Sequence, residues 1–426
     1  MEPNSRLKLE AISVTLAILL VSVPIHNDVE YALQSEAKSA DTLGGNSFID
    51  APTWRVNDRW VYSGELDVYD FIADSGVSTN VNTLTGTLDV QVESINLVDV
   101  GGIQTLAYTV AGTGDYRADN IQLEGQNGDV VVEMDTTSVI RVSDMAVISQ
   151  TATIDIEFDP AFGWICWLIS CDIESITASN EYWPPLERHD FPLSVGDTWV
   201  NNYTLNTTYS GSSSYVTIPQ STSDQVETTS TVVQAGYPGV SQSGCSVSYN
   251  VTATDVNGSL VGYGWHCDSM KNDVVTLNEV TLGLMARHEI DYSTLSPRPY
   301  FIDVEPMYPL APFDFTSPIW VNVSNANGAP IADQEIEFRY DPTGEVQTLT
   351  TGSNGSAFTT LNYGLRGDES SVDGEHGSHG VVARILNTDH IGISTITLDP
   401  DIYEVDLKIE SSSISIQRNR SGEIQS

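Results

Sequence analysis

Lysine is almost missing from this chain of 426 residues. Only Lys8, Lys38, Lys271 and Lys408 occur, and with the arginines they face 58 carboxylates for a formal net charge of −41. A surface that neutralises phosphates needs a basic footprint, so this scarcity excludes nucleic-acid binding and adhesion to anionic membranes. It also leaves little for amine chemistry. Other catalytic signatures are absent too: there is no G-x-S-x-G, no H-E-x-x-H and no G-x-x-x-x-G-K-[ST]. Carboxylates are so abundant that a pair of them says nothing about glycoside hydrolysis, and we expect no enzyme. Long amphipathic helices are lacking, as is a second apolar run of membrane length. Charged residues make up only 18 % of the chain. With plentiful Gly, Ser, Thr, Asn and Tyr, that is the composition of a turn-rich all-β protein rather than a disordered acidic tail.

What is present begins at the N-terminus. Ala11 to Ile25 form an uncharged apolar run, preceded by Arg6 and Lys8 and closed by Pro24. This reads as a signal peptide or, if uncleaved, an N-terminal anchor, and predicts an extracellular or cell-surface protein. Four cysteines in an exported chain suggest two disulfides. Cys245 opens the alternating run CSVSYNVTAT, Asn257-Gly258 supplies a turn, and Cys267 ends the return run LVGYGWHC. A hairpin about that turn brings Cys245 and Cys267 nearly opposite, and closing the loop contributes about 3 kcal/mol on the chain-entropy argument. Cys166 and Cys171 then pair locally. Their loop carries Trp164, Trp167, Leu168 and Ile169, an apolar tip for contact with a partner or lipid, unless it folds back as core.

The N-terminal region repeats itself. Trp54-Arg-Val-Asn-Asp-Arg-Trp-Val61 matches Leu193-Ser-Val-Gly-Asp-Thr-Trp-Val200, and each copy leads into alternating strand-like sequence. A turn residue, Asp, a spacer and Trp make a tight entry to a strand, with Trp60 and Trp199 as equivalent anchors. We therefore expect residues 1–48 as leader or anchor plus linker and two related antiparallel β-sheet or half-barrel units at 49–188 and 189–297. Ser296-Pro-Arg-Pro299 forms a stiff linker to a β-sandwich at 298–400, and a polar tail occupies 401–426.

In the sandwich region, Asn327-Gly-Ala-Pro-Ile331, Glu335-Ile-Glu-Phe338 and Gly352-Ser-Asn-Gly355 before an Ala-Phe-Thr-Thr-Leu strand resemble bacterial and archaeal Ig-like (invasin/adhesin-type) surface modules. The resemblance implies an Ig-like fold and no catalytic residues. It departs from the pattern at Gly367 to Gly380. The opening P-L-x-V-G-D-x-W-V of the second unit is similar to β-rich lipoprotein-type and archaeal secreted domains, some of them half-barrel lipid carriers.

Metal and modification signals are sparse. His376 and His379, with Asp373 and Glu375, have a zinc- or copper-like spacing, but a Gly-rich loop does not preorganise it, and we read a solvated loop. Asp155, Glu157 and Asp159 share one strand face that could collect Ca²⁺, although no EF-hand-type loop occurs. No cofactor is expected, and calcium is the ion best suited to such a surface. Sequons stand at Asn202, Asn206, Asn250, Asn257, Asn322, Asn354 and Asn419, as Ser/Thr-rich sequence gives by chance, and mark sites open to glycosylation. The expected function is structural or adhesive, through a surface protein or polysaccharide partner. The alternative is an apolar-ligand or lipid carrier built on the half-barrels. The charge itself suits a hydrated surface in salty water, where screening shortens to a few ångströms.

Overall fold

In the computed structural model the described residues are 49–398, apart from 70–77, 124, 162–171, 214–217, 219, 240–243, 246, 282–283 and 366–377, together with 409–410 and 413–414. The described chain is all-β. Its larger part is one closed antiparallel barrel. The strands run in order: β1 (Arg59–Asp67), β2 (Thr83–Val100), β3 (Ile103–Leu123), β4 (Gln126–Arg141), β5 (Val147–Pro160), β6 (Asp172–Leu186), β7 (Thr198–Ser213), β8 (Thr222–Gly236), β9 (Ser248–Asp255), β10 (Leu260–Cys267), β11 (Asn272–Thr281) and β12 (Leu284–Thr294). Each strand pairs with its sequence neighbours, and β1 closes the ring on β12.

This corrects the expectation of two separate β-units. A six-stranded half leaves two unpaired edges, each a row of unsatisfied amides and carbonyls. Here β6 pairs with β7 from Trp183↔Thr204 to Glu174↔Ser213, and β1 pairs with β12 from Arg59↔Thr294 to Asp67↔Met285. All four edges disappear at once.

Period-2 alternation decides which face is inside. Along β3, β4 and β5 the buried positions Tyr116, Val130, Val132, Met134, Ile154, Ile156 and Phe158 join Leu66, Leu84, Leu284 and Ala286 in one apolar cluster. The alternate positions Asp115, Arg117, Glu133, Asp135 and Glu157 are exposed. An apolar interior with a polar exterior is the reverse of a lipid-facing barrel. Among the described residues no helix is long and apolar enough to cross a membrane.

The repeated motif folds the same way twice. Asn57 (φ 71°) and Gly196 (φ 101°) occupy matching left-handed positions. The Asp58 and Asp197 carboxylates accept from the amides of Arg55 (2.8 Å) and Ser194 (2.6 Å). Asn57 N donates to Val92 O and Gly196 N to Val232 O, while Val92 N and Val232 N return bonds to Asp58 O and Asp197 O. Each partner strand then bulges, between Val92 and Ser94 and between Val232 and Gln234. The anchors differ in depth: Trp60 is fully buried, whereas Trp199 is only partly so.

Two sheets follow, one of β13 (Tyr300–Pro306), β15 (Phe315–Asn325) and β18 (Ser356–Tyr363), the other of β14 (Leu310–Ala311), β20 (Ile391–Leu398), β19 (Ser378–Ile385), β16 (Glu335–Tyr340) and β17 (Glu345–Thr350). Their inner faces share one core that includes Ile319, Val321, Ile336, Phe338, Tyr340, Leu361, Val381 and Ile396. The Asn354-Gly355 turn needs glycine: Gly355 has φ +76°, and a Cβ there would lie 2.6 Å from Val323 O.

The linker at Ser296–Pro299 is not a free spacer. The fully buried Asp58 carboxylate accepts from Ser296 N (2.7 Å) and pairs with Arg298 (2.9 Å). Across the same seam Arg55 pairs with Asp389 (2.8 Å), Arg339 donates to Gln104 O, and Thr395 Oγ1 bonds Asp50. Val382 and Ile391 of the five-stranded sheet belong to the barrel's own apolar cluster.

Candidate functional site at the plugged end of the barrel

The segments that precede β1 and β7 meet across one end of the barrel. Ile49 and Leu193 exchange two backbone hydrogen bonds, 3.2 and 2.8 Å. Around this bridge Ala51, Trp54, Trp60, Tyr108, Phe191, Leu193, Tyr249 and Val274 pack into one cluster, which fills the mouth. The turn from β10 to β11 is fixed by aromatic donors: Trp60 Nε1 reaches Met270 O (2.7 Å), Trp54 Nε1 reaches Lys271 O (2.5 Å) and the Tyr62 hydroxyl reaches Asp273 O (3.0 Å). Burial raises the Tyr62 phenol far above its ordinary range, so it stays a donor.

Against this turn lies the one group of three potential metal-ligating side chains among the described residues, His189, His266 and Asp273, with one ligand atom from each within 4.8 Å of the others. His189 comes from the segment before β7. His266 and Asp273 are register partners on β10 and β11, at a bulge between Trp265 and His266. A bulge re-aims a side chain, and here it turns imidazole and carboxylate towards each other. Asp273 Oδ1 is 3.2 Å from His266 Nδ1 and 3.2 Å from His189 Nε2. Room for the carboxylate comes from Gly264, where a Cβ would stand 2.5 Å from Asp273 Oδ2. Phe191 stacks on His189 (centroids 5.6 Å) and meets His266 edge-on (5.1 Å). Burial alone raises the Asp273 carboxyl, but the charges of the two imidazoles and their hydrogen bonds outweigh it and hold it far below the carboxylate range. Burial pushes His266 down, partly offset by Asp273. Its Nε2 is buried with no hydrogen-bond partner.

His266 and Asp273 share one pair of consecutive strands, but nothing local in the sequence joins His189 to them. The sequence-derived candidates fare differently. Cys245 and Cys267 are bonded, with Cα atoms 6.2 Å apart, although Cys245 lies ahead of β9 rather than on it. The hairpin itself turns at Gly258 (φ +82°). Cys166, Cys171, Trp164, Trp167, Leu168 and Ile169 lie outside the described residues, as do Asp373, Glu375, His376 and Asn419. His379 is not a loop residue: it sits on β19, 1 % exposed, with its ring 6.5 Å from that of Tyr340. Asn202, Asn206, Asn257 and Asn354 are exposed, and Asn322 is half-buried. Asn250, by contrast, is buried, 4 % exposed. Glu157 and Asp159 face solvent on β5, with Asp155 half-buried on the same face.

Compared with known proteins, the chain matches no family model and no curated protein.

Proposed function

We propose that this is an exported, non-catalytic protein of the cell surface or extracellular space, serving as a rigid structural or adhesive element that binds a surface protein or polysaccharide. The observation that carries this reading is the seam: buried Asp58 clamps the linker while Arg55–Asp389, Arg339 and Thr395 tie the two bodies together. Such a joint suits a load-bearing spacer and leaves no hinge for a lid. The aromatic-filled mouth supports the same reading over the lipid carrier, which needs an open apolar concavity. Strand order supports an Ig-like assignment for the sandwich. The pattern β13-β15-β18 facing β14-β20-β19-β16-β17 corresponds to A-B-E against A′-G-F-C-C′. The twin entry turns support descent of the barrel from a duplicated six-stranded half.

Fractionation of native cells with N-terminal sequencing and surface proteolysis tests the proposal. A chain released or shaved from the cell surface, lacking or anchored by residues 11–25, is expected. A full-length cytosolic protein protected from external protease would overturn it.

A further inference from the structure

We propose that His189, His266 and Asp273 form a site for one divalent transition ion of the zinc class, which ties the plug segment before β7 to the β10–β11 turn. The donor set carries the first part of the argument. Two imidazoles and a carboxylate suit zinc and its first-row neighbours, and are poorly matched to Ca²⁺, which takes an all-oxygen shell.

Spacing carries the second. An ion bonded at about 2.0–2.1 Å to tetrahedrally placed ligands holds them about 3.3 Å apart. The two separations to Asp273 Oδ1, from His266 Nδ1 and from His189 Nε2, are 3.2 Å, and all three ligand atoms lie within 4.8 Å of one another.

The third part is the crowding of one acceptor. Asp273 Oδ1 alone faces both His266 Nδ1 and His189 Nε2, the arrangement that an ion held by those three atoms would share out. His266 Nε2, buried on the other edge of the ring, is not one of the ligands. Support for the ligands is already in place: Gly264 leaves space for the carboxylate, the Tyr62 hydroxyl holds the Asp273 carbonyl, and Cys267, bonded to Cys245, follows His266. Side chains of His189 and Asp273 are 14 % and 17 % exposed, which gives an ion a way in and a water a fourth position.

The ion would act as a staple. It would join a connecting segment to a strand pair more than seventy residues further on, and would stabilise the fold in proportion to its occupancy.

The test uses the full-length protein, stripped with chelator and titrated with Zn²⁺ by calorimetry, with Co²⁺ as a spectroscopic probe. One equivalent is expected to bind at micromolar affinity or tighter, to raise Tm and to give tetrahedral Co²⁺ bands. His189→Gln lies on a connecting segment and leaves the strands intact. It should weaken binding at least tenfold and abolish the Tm rise, and Asp273→Asn should do the same. His376→Ala, at a histidine outside this group, should change nothing. The proposal is overturned by the absence of saturable binding, by affinity unchanged in His189→Gln, or by binding lost in His376→Ala. Should Asp273→Asn fail to fold, His189→Gln decides alone.

Discussion

The two halves of the barrel enter through the same turn and then fill their interiors differently. Inside β3 to β5 the buried positions are almost all apolar, from Tyr116 through Met134 to Phe158. Along β7 and β8 the buried positions are Asn201, Tyr203, Thr207, Ser230 and Val232, three of them carrying polar side chains besides the tyrosine. Side-chain hydrogen bonds hold the polar ones, Thr207 Oγ1 to Asn180 Oδ1 at 2.8 Å and Asn201 Nδ2 to Ser230 Oγ at 3.5 Å. A closed ring explains how both can persist. Apolar burial around the rest of the ring supplies transfer free energy, and the polar row of β7 is held in register by its neighbours.

The sharpest test of this difference is the anchor pair. Trp60→Ala should cost about 3–5 kcal/mol, because a fully buried indole and its bond to Met270 O are lost. Trp199→Ala should cost roughly 1–2 kcal/mol, since that ring is half-buried. Equal losses by denaturant unfolding would erase the distinction between the halves.

Removing the disulfide with Cys245→Ser and Cys267→Ser should cost about 3 kcal/mol. Hydrogen exchange should loosen first in β8 to β10. Uniform loosening around the ring would show that the bond serves both halves alike.

The interior where β12 faces β3 should also impose a pH dependence. His288, 6 % exposed and bonded to the Tyr116 hydroxyl at 2.6 Å, is pushed by burial from 6.5 to about 4. Above the unfolded value neither state takes the proton and stability is complete. As pH falls from 6.5 towards 4 the unfolded chain takes it and the native one does not, so stability drops by up to about 3 kcal/mol. Urea midpoints measured from pH 7 to pH 4 should flatten in that window for His288→Gln. An unchanged slope would place the titrating group elsewhere.

The smallest effect belongs to the polar half. Thr207→Val should cost about 1 kcal/mol, one hydrogen bond to Asn180. A loss as large as that for Trp60 would mean that the polar row is the principal support.

Much of the fold was legible from the sequence because its causes are local. Alternation along β4 and β5, the Asn257-Gly258 turn, the Cys245–Cys267 pairing and the twin Asp-x-Trp entries all follow from residues within a few positions of one another. Ring closure was not, because β1 and β12 stand at opposite ends of the barrel's sequence, and the proline-bearing stretch between β6 and β7 reads as a boundary rather than as a link between paired strands. The His189–His266–Asp273 group escaped for the same reason. Its one local hint was His266 beside Cys267, at the end of a strand already expected to be pinned. His379 misled because its neighbours are glycines, whereas its own strand runs into the core that the two smaller sheets share.

The pairing of Arg59 with Thr294 has a kinetic consequence. The first strand of the barrel can be satisfied only by the last, so the ring cannot close until nearly the whole domain has left the ribosome. Closing so long a loop adds entropy cost slowly but lengthens the search. Until then β1 presents an unpaired edge, and the net charge of −41 keeps waiting chains apart. The acidity that suits the finished surface thus also guards the unfinished one.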